Sequence, residues 1–254
     1  MAQLPVVKLL AGIKNSTQSA ELFYLDLSKP FDTSNILWNL IHDGDLPIYT
    51  YGSTTVVSLD NSTIFLIGGY IKNKTTSELD YSKQVYAYDY STSKWTTPSI
   101  TGDNVPIRQQ MTGVINNKGI IYIFGGYNTT NATEEVGITY NEINTLNTHS
   151  MTWKNLSIIN NLPPVSSDYS ASLLPNGIIV YVGGQEKNDT LTKMNSIKLF
   201  DTNKDEWSYM DAIGDEVDPR WIFASVLNSS KVNPPPYIYG HAGNLYYNNM
   251  IVTF

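Results

Sequence analysis

Few residues in this 254-residue chain have the types and spacing that chemistry needs. The histidines are His42, His149 and His241, far apart in sequence, whereas a metal site needs clustered imidazoles or carboxylates with supporting partners. There is no cysteine, so disulfides, thiolate zinc sites and cysteine nucleophiles are excluded. Asp215, Glu216 and Asp218 form an acidic cluster, which reads as a solvated turn rather than a general acid and base sharing a cleft. No Gly-x-Ser-x-Gly elbow and no phosphate-binding loop occur. No catalytic residue, metal site or cofactor is therefore assigned.

The stretches that stand out are apolar runs ending in a glycine pair. Ile121-Tyr122-Ile123-Phe124-Gly125-Gly126-Tyr127 recurs as Ile64 to Tyr70, as Ile179 to Gly184, and in degenerate form as Val6 to Gly12 and Tyr237 to Gly240. So regular a recurrence is the signature of a repeat protein built from strands. Each repeat divides into four strand signals. Strand a follows a proline, strand b runs into the glycines, strand c is aromatic and ends in Asp or Asn, and strand d carries a tryptophan. The phased carriers are Asp26 with Trp38, Asp89 with Trp95, Asn147 with Trp153, and Asp201 with Trp207. The repeats span approximately 1-42 (partial), 43-100, 101-159, 160-214 and 215-254 (partial). In the last, Ile222 to Leu227 reads as strand a, Tyr237 to Gly240 as strand b and Met250 to Phe254 as strand c.

One such meander cannot bury its faces alone, so several must stack. The tryptophans are expected to wedge between successive sheets. The Asp and Asn residues are expected to accept backbone N–H bonds in the c–d turn. The glycines are expected to permit close backbone approach.

These marks resemble the kelch-repeat family, within the galactose oxidase-like superfamily, and the resemblance covers nearly the whole chain. It implies an all-β fold, a kelch-type β-propeller of four-stranded blades, with residues 1-254 as a single domain. About four to five blades are visible, which reads as part of a six- or seven-bladed ring; the alternative is a complete, degenerate ring of five. The family's arginine after the proline is kept only as Arg108 and Arg220; Tyr49 and Ser166 take that place in repeats two and four.

The superfamily includes enzymes. Oxidases resembling galactose oxidase need a Tyr–Cys crosslink, which a chain without cysteine cannot form. The Glu-x-x-x-Asp-x-x-x-His iron pattern of plant specifier proteins is missing, and nothing singles out the substrate site of the sialic acid mutarotases. The resemblance thus implies a non-catalytic module that displays loops to a protein or peptide partner. An oxidase-like or carbohydrate-binding secreted propeller is the alternative. In peptide-binding kelch propellers, contacts come from residues after the glycine pair and at the start of strand a. By position these are Tyr70, Tyr127 and Gln185, and Tyr49, Arg108, Gln109, Asp168, Arg220 and Trp221.

The formal charge is −7 and no Lys/Arg stripe occurs, which disfavours nucleic acid and anionic membranes as partners. No apolar run approaches the roughly 18 residues of a membrane span. Eight N-x-[ST] sequons, at Asn15, Asn61, Asn73, Asn128, Asn131, Asn155, Asn188 and Asn228, suggest a glycoprotein, although a chain this rich in Asn, Ser and Thr produces many by composition. The compartment stays open between cytoplasm and secretion.

Overall fold

The computed structural model describes residues 6–14, 17–25, 37, 39–41, 46–128, 137–223, 242–246 and 249–253. The chain divides into two compact units, Met1–Ser99 and Ile100–Phe254.

In the first unit, repeat one forms a three-stranded antiparallel sheet of Val6–Lys14, Thr17–Leu25 and Asn39–Ile41. Trp38 and Asp26 lie outside the described residues. Repeat two is the expected meander: Thr54–Val57 (a), Thr63–Ile67 (b), Val85–Asp89 (c) and Lys94–Thr96 (d), hydrogen-bonded in that order. Strand c looks like a period-two strand, yet Val85, Tyr86, Ala87 and Tyr88 are all buried. It is a central strand with both faces covered, so its apolar residues need not alternate with polar ones. Leu46, Ile48, Ile64, Leu66, Ile71, Tyr86, Tyr88 and Trp95 make one core cluster, with the Tyr88 and Trp95 rings 5.3 Å apart.

In the second unit, repeat three has strands Gly113–Ile115 (a), Ile120–Phe124 (b), Ile143–Asn147 (c) and Thr152–Asn155 (d). A fifth strand, Thr101–Gly102, pairs in parallel with strand d. Repeat four has Ser170–Leu173, Ile178–Val182, Ser196–Asp201 and Glu206–Asp211, in that order across the sheet. Trp207 fills the role expected of a wedge. It lies 4.8 Å from the ring of Phe124, in repeat three, and 5.0 Å and 5.4 Å from Phe200 and Tyr181 of its own sheet.

The c–d turns are built as the sequence implies. Asp89 Oδ1 accepts from Ser91 N–H and Thr92 N–H, Asn147 Oδ1 from His149 and Ser150, and Asp201 Oδ1 from Asn203. The Ser91 hydroxyl, which also donates to Asp89, and then these backbone bonds hold the Asp89 carboxyl below its ordinary range, and the Asn203 N–H does the same for Asp201.

Repeat five departs from the sequence reading. Its last strand, Asn249–Thr253, falls where strand c is expected, but its partner is an unforeseen strand, Ala242–Tyr246, joined to it by a two-residue connection. The strand a expected from Ile222 does not begin at Ile222 or Phe223; its remainder, and the expected strand b at 237–240, lie outside the described residues.

Candidate functional site

The two ends of each sheet are built differently. At one end the a–b turns (58–62, 116–119, 174–177) and c–d turns (90–93, 148–151, 202–205) are short. At the other, where strand b reaches its glycines, the b–c connections run over 68–84, 125–142 and 183–195. The d–a connections return to this same end. Loops of this kind carry binding on a rigid scaffold.

The residue after each glycine pair is tied to the segment before strand a. In the first unit, Ile48–Tyr51 and Tyr70–Asn73 form an antiparallel ribbon that brings Tyr49 opposite Lys72 and Tyr51 opposite Tyr70. Tyr49 is half-buried, with Lys74 Nζ 5.4 Å above its ring. Tyr70 is buried and packs 4.9 Å from Tyr51 rather than being displayed. Burial, and then the neighbouring Tyr70, push the Tyr51 hydroxyl above its ordinary range.

In the second unit, Gln109 and Tyr127 exchange two backbone bonds of 2.7 and 2.9 Å, and Ser167 and Gln185 exchange two of 2.9 and 2.8 Å. Tyr127 and Gln185 are half-buried. Gln109 is buried, and its side-chain Oε1 has no hydrogen-bond partner among the described residues. Such an acceptor costs stability unless something else satisfies it.

Gly125 shows why the pair is glycine. Its φ is +56°, and a Cβ there would stand 2.3 Å from Ser166 O and 3.0 Å from Tyr140 O. Three backbones converge at this point. Gly126 N–H donates to Ser166 O, and Gly184 N–H donates to Arg220 O, so within the second unit these two glycine pairs dock the following segment. A second series runs beside it. Asp168 N–H donates to Gln110 O, and Ile222 N–H to Asp168 O, with Gln110, Asp168 and Ile222 all at positive φ.

Arg108 is not displayed. It is 3 % exposed, and its guanidinium donates to Gly125 O (2.9 Å), Glu142 Oε1 (2.7 Å) and Pro106 O (3.3 Å) while stacking 4.0 Å over Tyr140. Asp168 is also buried, with one carboxylate oxygen accepting from Ser167 Oγ. Burial pushes its carboxyl up to about 6, and nearby Asp189 adds to the effect. Arg220 is half-buried, and Trp221 is 39 % exposed.

The structure adds residues that sequence spacing does not single out. Buried Lys198 donates to Glu186 (2.9 Å) and to Ser166 Oγ (3.3 Å), and Thr192 Oγ1 donates to Glu186. Ser166 N–H donates in turn to Tyr140 O. A polar network thus runs from Arg108 and Glu142 of repeat three to Lys198 and Glu186 of repeat four. Ser166 occupying the arginine position was the available signal, because the buried Lys198 bonds to that serine's hydroxyl.

Among the described residues, no group of three His, Asp or Glu side chains is placed to hold a metal, and no helix is long and apolar enough to cross a membrane. His149 and the cluster Asp215, Glu216 and Asp218 are exposed; His42 and His241 lie outside the described residues. Of the sequons, Asn61 and Asn188 are exposed, and Asn128 is half-buried. Asn73 and Asn155 accept backbone bonds through their side chains. Asn15, Asn131 and Asn228 lie outside the described residues.

Glycine pairs docking successive four-stranded sheets, with a tryptophan wedge between them, define a kelch-type β-propeller. A profile of the KLHDC2/KLHL20/DRC7 Kelch-repeats domain matches residues 9–240, and the chain belongs to the kelch-repeat family. It is 31% identical over 168 residues to Kelch domain-containing protein 3 of Rattus norvegicus and of Mus musculus, and 29% identical over 167 residues to that of Homo sapiens. These alignments cover 64% of this chain and 40% of each relative, so the chain spans well under half the length of the curated relatives it matches. Among solved structures, one titled "Structure of YjhT" aligns with a TM-score of 0.58 and 12% identity, over 84% of this chain and 64% of that one, a likeness of fold alone.

Proposed function

We propose that residues 1-254 act as one kelch-type domain, a non-catalytic module that holds a protein or peptide partner at the glycine-pair end of its sheets. The observation that carries this reading is the asymmetry between the ends. Long connections start at the glycine end, and each leaves strand b through a backbone-paired segment that holds its base. Rigid presentation lowers the ordering cost of binding. In the second unit the exposed Trp221 and the half-buried Gln185 are candidate contact residues, and aromatic residues of this kind dominate interface energetics.

The test is selection of binders from a displayed peptide library on the wild-type chain. Selected peptides should lose affinity about tenfold or more for Trp221→Ala and for Gln185→Ala, a change of ~1.4 kcal/mol or more. They should bind unchanged to Asn176→Ala, in an a–b turn at the opposite end. Peptides sensitive only to Asn176→Ala would reject this face.

A further inference from the structure

Repeats three and four differ at the outer edge of the sheet. In repeat three, the incoming segment closes on strand d. Thr101 N–H donates to Met151 O (3.1 Å), Asp103 N–H donates to Trp153 O (3.0 Å), and Asp103 Oδ2 accepts from Asn155 N–H (2.8 Å). This approach requires glycine between Thr101 and Asp103. Gly102 has φ +93°, and a Cβ there would stand 2.1 Å from Trp153 O.

The corresponding residue of repeat four is Asn160, which like Gly102 stands four residues before a proline, Pro164 and Pro106 respectively. A side chain there would meet the carbonyl of Trp207, the counterpart of Trp153. The segment stands off accordingly. Strand Glu206–Asp211 is the last strand of its sheet. Among the described residues, the segment reaches that strand through two side-chain bonds, from Asn161 Nδ2 to Trp207 O (3.5 Å) and from Tyr209 Oη to Asn161 O (2.8 Å). A slot of about 660 Å³ lies between them, lined by residues 156–161 and by Asp205, Glu206 and Trp207. The x-Gly-Asp pattern of Asp43-Gly44-Asp45, Thr101-Gly102-Asp103 and Ile213-Gly214-Asp215 is replaced only here, by Ile159-Asn160-Asn161.

We propose that this slot is a strand-addition site for an extended, cationic segment of a partner protein. The segment adds to the edge of Glu206–Asp211 in parallel, as Thr101–Gly102 adds to Thr152–Asn155, and its N–H replaces the 3.5 Å bond of Asn161 Nδ2 at Trp207 O. Main-chain bonds supply affinity in this mode, and alternate side chains supply selectivity. The occupant's chemistry follows from repeat three. A glycine must face Trp207, because a Cβ is excluded there. The residue before it faces Glu206, as Thr101 faces Thr152 with their hydroxyls 3.3 Å apart. The charged groups lining the slot are Asp205 and Glu206, so that residue is Lys or Arg. Ile159, 84 % exposed, offers apolar cover at the rim. This surface is separate from the glycine-pair face, and its test is independent of that reading.

The probe is a fluorescein-labelled peptide, Ser-Ile-Lys-Gly-Asp-Asn, titrated with the 254-residue chain and read by anisotropy. Saturable binding is expected, about tenfold weaker when the peptide's glycine is alanine, and about tenfold weaker for Glu206→Lys. A peptide with Glu in place of Lys should regain binding to Glu206→Lys. Asn160→Gly should abolish binding without lowering the melting temperature, because the chain's own segment can then close on the edge. Equal binding of the glycine and alanine peptides overturns the proposal, as does undiminished binding by Asn160→Gly. A concentration-dependent dimer that Glu206→Lys dissociates would assign the slot to a second copy and also overturn it.

Discussion

Arg108 occupies a position where a partner contact was expected, and its surroundings explain why it is withdrawn. Its guanidinium answers the carbonyl of Gly125, whose tight approach to Ser166 leaves little room for another donor. Removing it strands the half-buried Glu142 carboxylate. Arg108→Ala should therefore cost about 3–5 kcal/mol in urea unfolding, while Arg108→Met paired with Glu142→Gln should cost less, since the orphaned charge is then gone. Asp168 presents the opposite case. Its carboxyl is raised by burial to about 6, above the ordinary value of 3.8, so the folded state holds the extra proton between those values. Stability contributed by that proton is present below about pH 4 and lost as pH rises through about 6. Asp168→Asn keeps a residue type that tolerates positive φ and removes the ionisation penalty. Unfolding free energies of the variant and the wild type should agree at pH 4 and separate by ~2–3 kcal/mol in favour of Asn at pH 7. Agreement at both pH values would mean that the carboxylate is solvated.

At the scale of elements, the strands of repeats two to four were legible because glycine pairs, turn Asp or Asn and tryptophans recur in phase. The ribbons behind the glycine pairs were not. Tyr70–Asn73 and Ile48–Tyr51 are four residues each, too short for a period to be read, and their pairing is dictated by where strand b ends. The polar network through Lys198 was equally hidden, since a lysine on strand c reads as a solvated residue until Ser166 is seen opposite it. Likewise Gln110, Asp168 and Ile222 hold positive φ although only Gly52, at the same place in repeat two, advertises that conformation. Of the contact residues inferred by position, those with exposed or half-buried side chains keep that role open. Tyr70 and Arg108 are spent on packing. The tryptophan wedge makes the sharpest prediction at this scale. Trp207→Ala removes three ring contacts across two sheets and should destabilise by ~3–5 kcal/mol, against a smaller loss for Trp207→Phe, as measured by denaturant midpoint at constant slope.

Within the second unit, repeats three and four are not beads joined by a string. Phe124 belongs to strand b of repeat three, yet its ring lies 5.3 Å from Tyr181 and 4.8 Å from Trp207 of repeat four, and the Tyr169 hydroxyl donates to its carbonyl. Gly126 N–H to Ser166 O and Asp168 N–H to Gln110 O add backbone ties across the same boundary. In repeat architectures, stability is shared between the repeats and the interfaces that join them, and here the interface holds Tyr181 and Phe124, which are among the largest fully buried side chains. Phe124→Ala should thus act on both repeats, costing ~3–5 kcal/mol in total. Native-state hydrogen exchange distinguishes this from a local defect. Amides of Ile178–Val182 should lose protection in parallel with those of Ile120–Phe124, because opening either sheet exposes the shared aromatic cluster. Loss confined to Ile120–Phe124 would show that repeat four stands on its own core, and that the glycine-pair bonds position the repeats without binding them into one cooperative element.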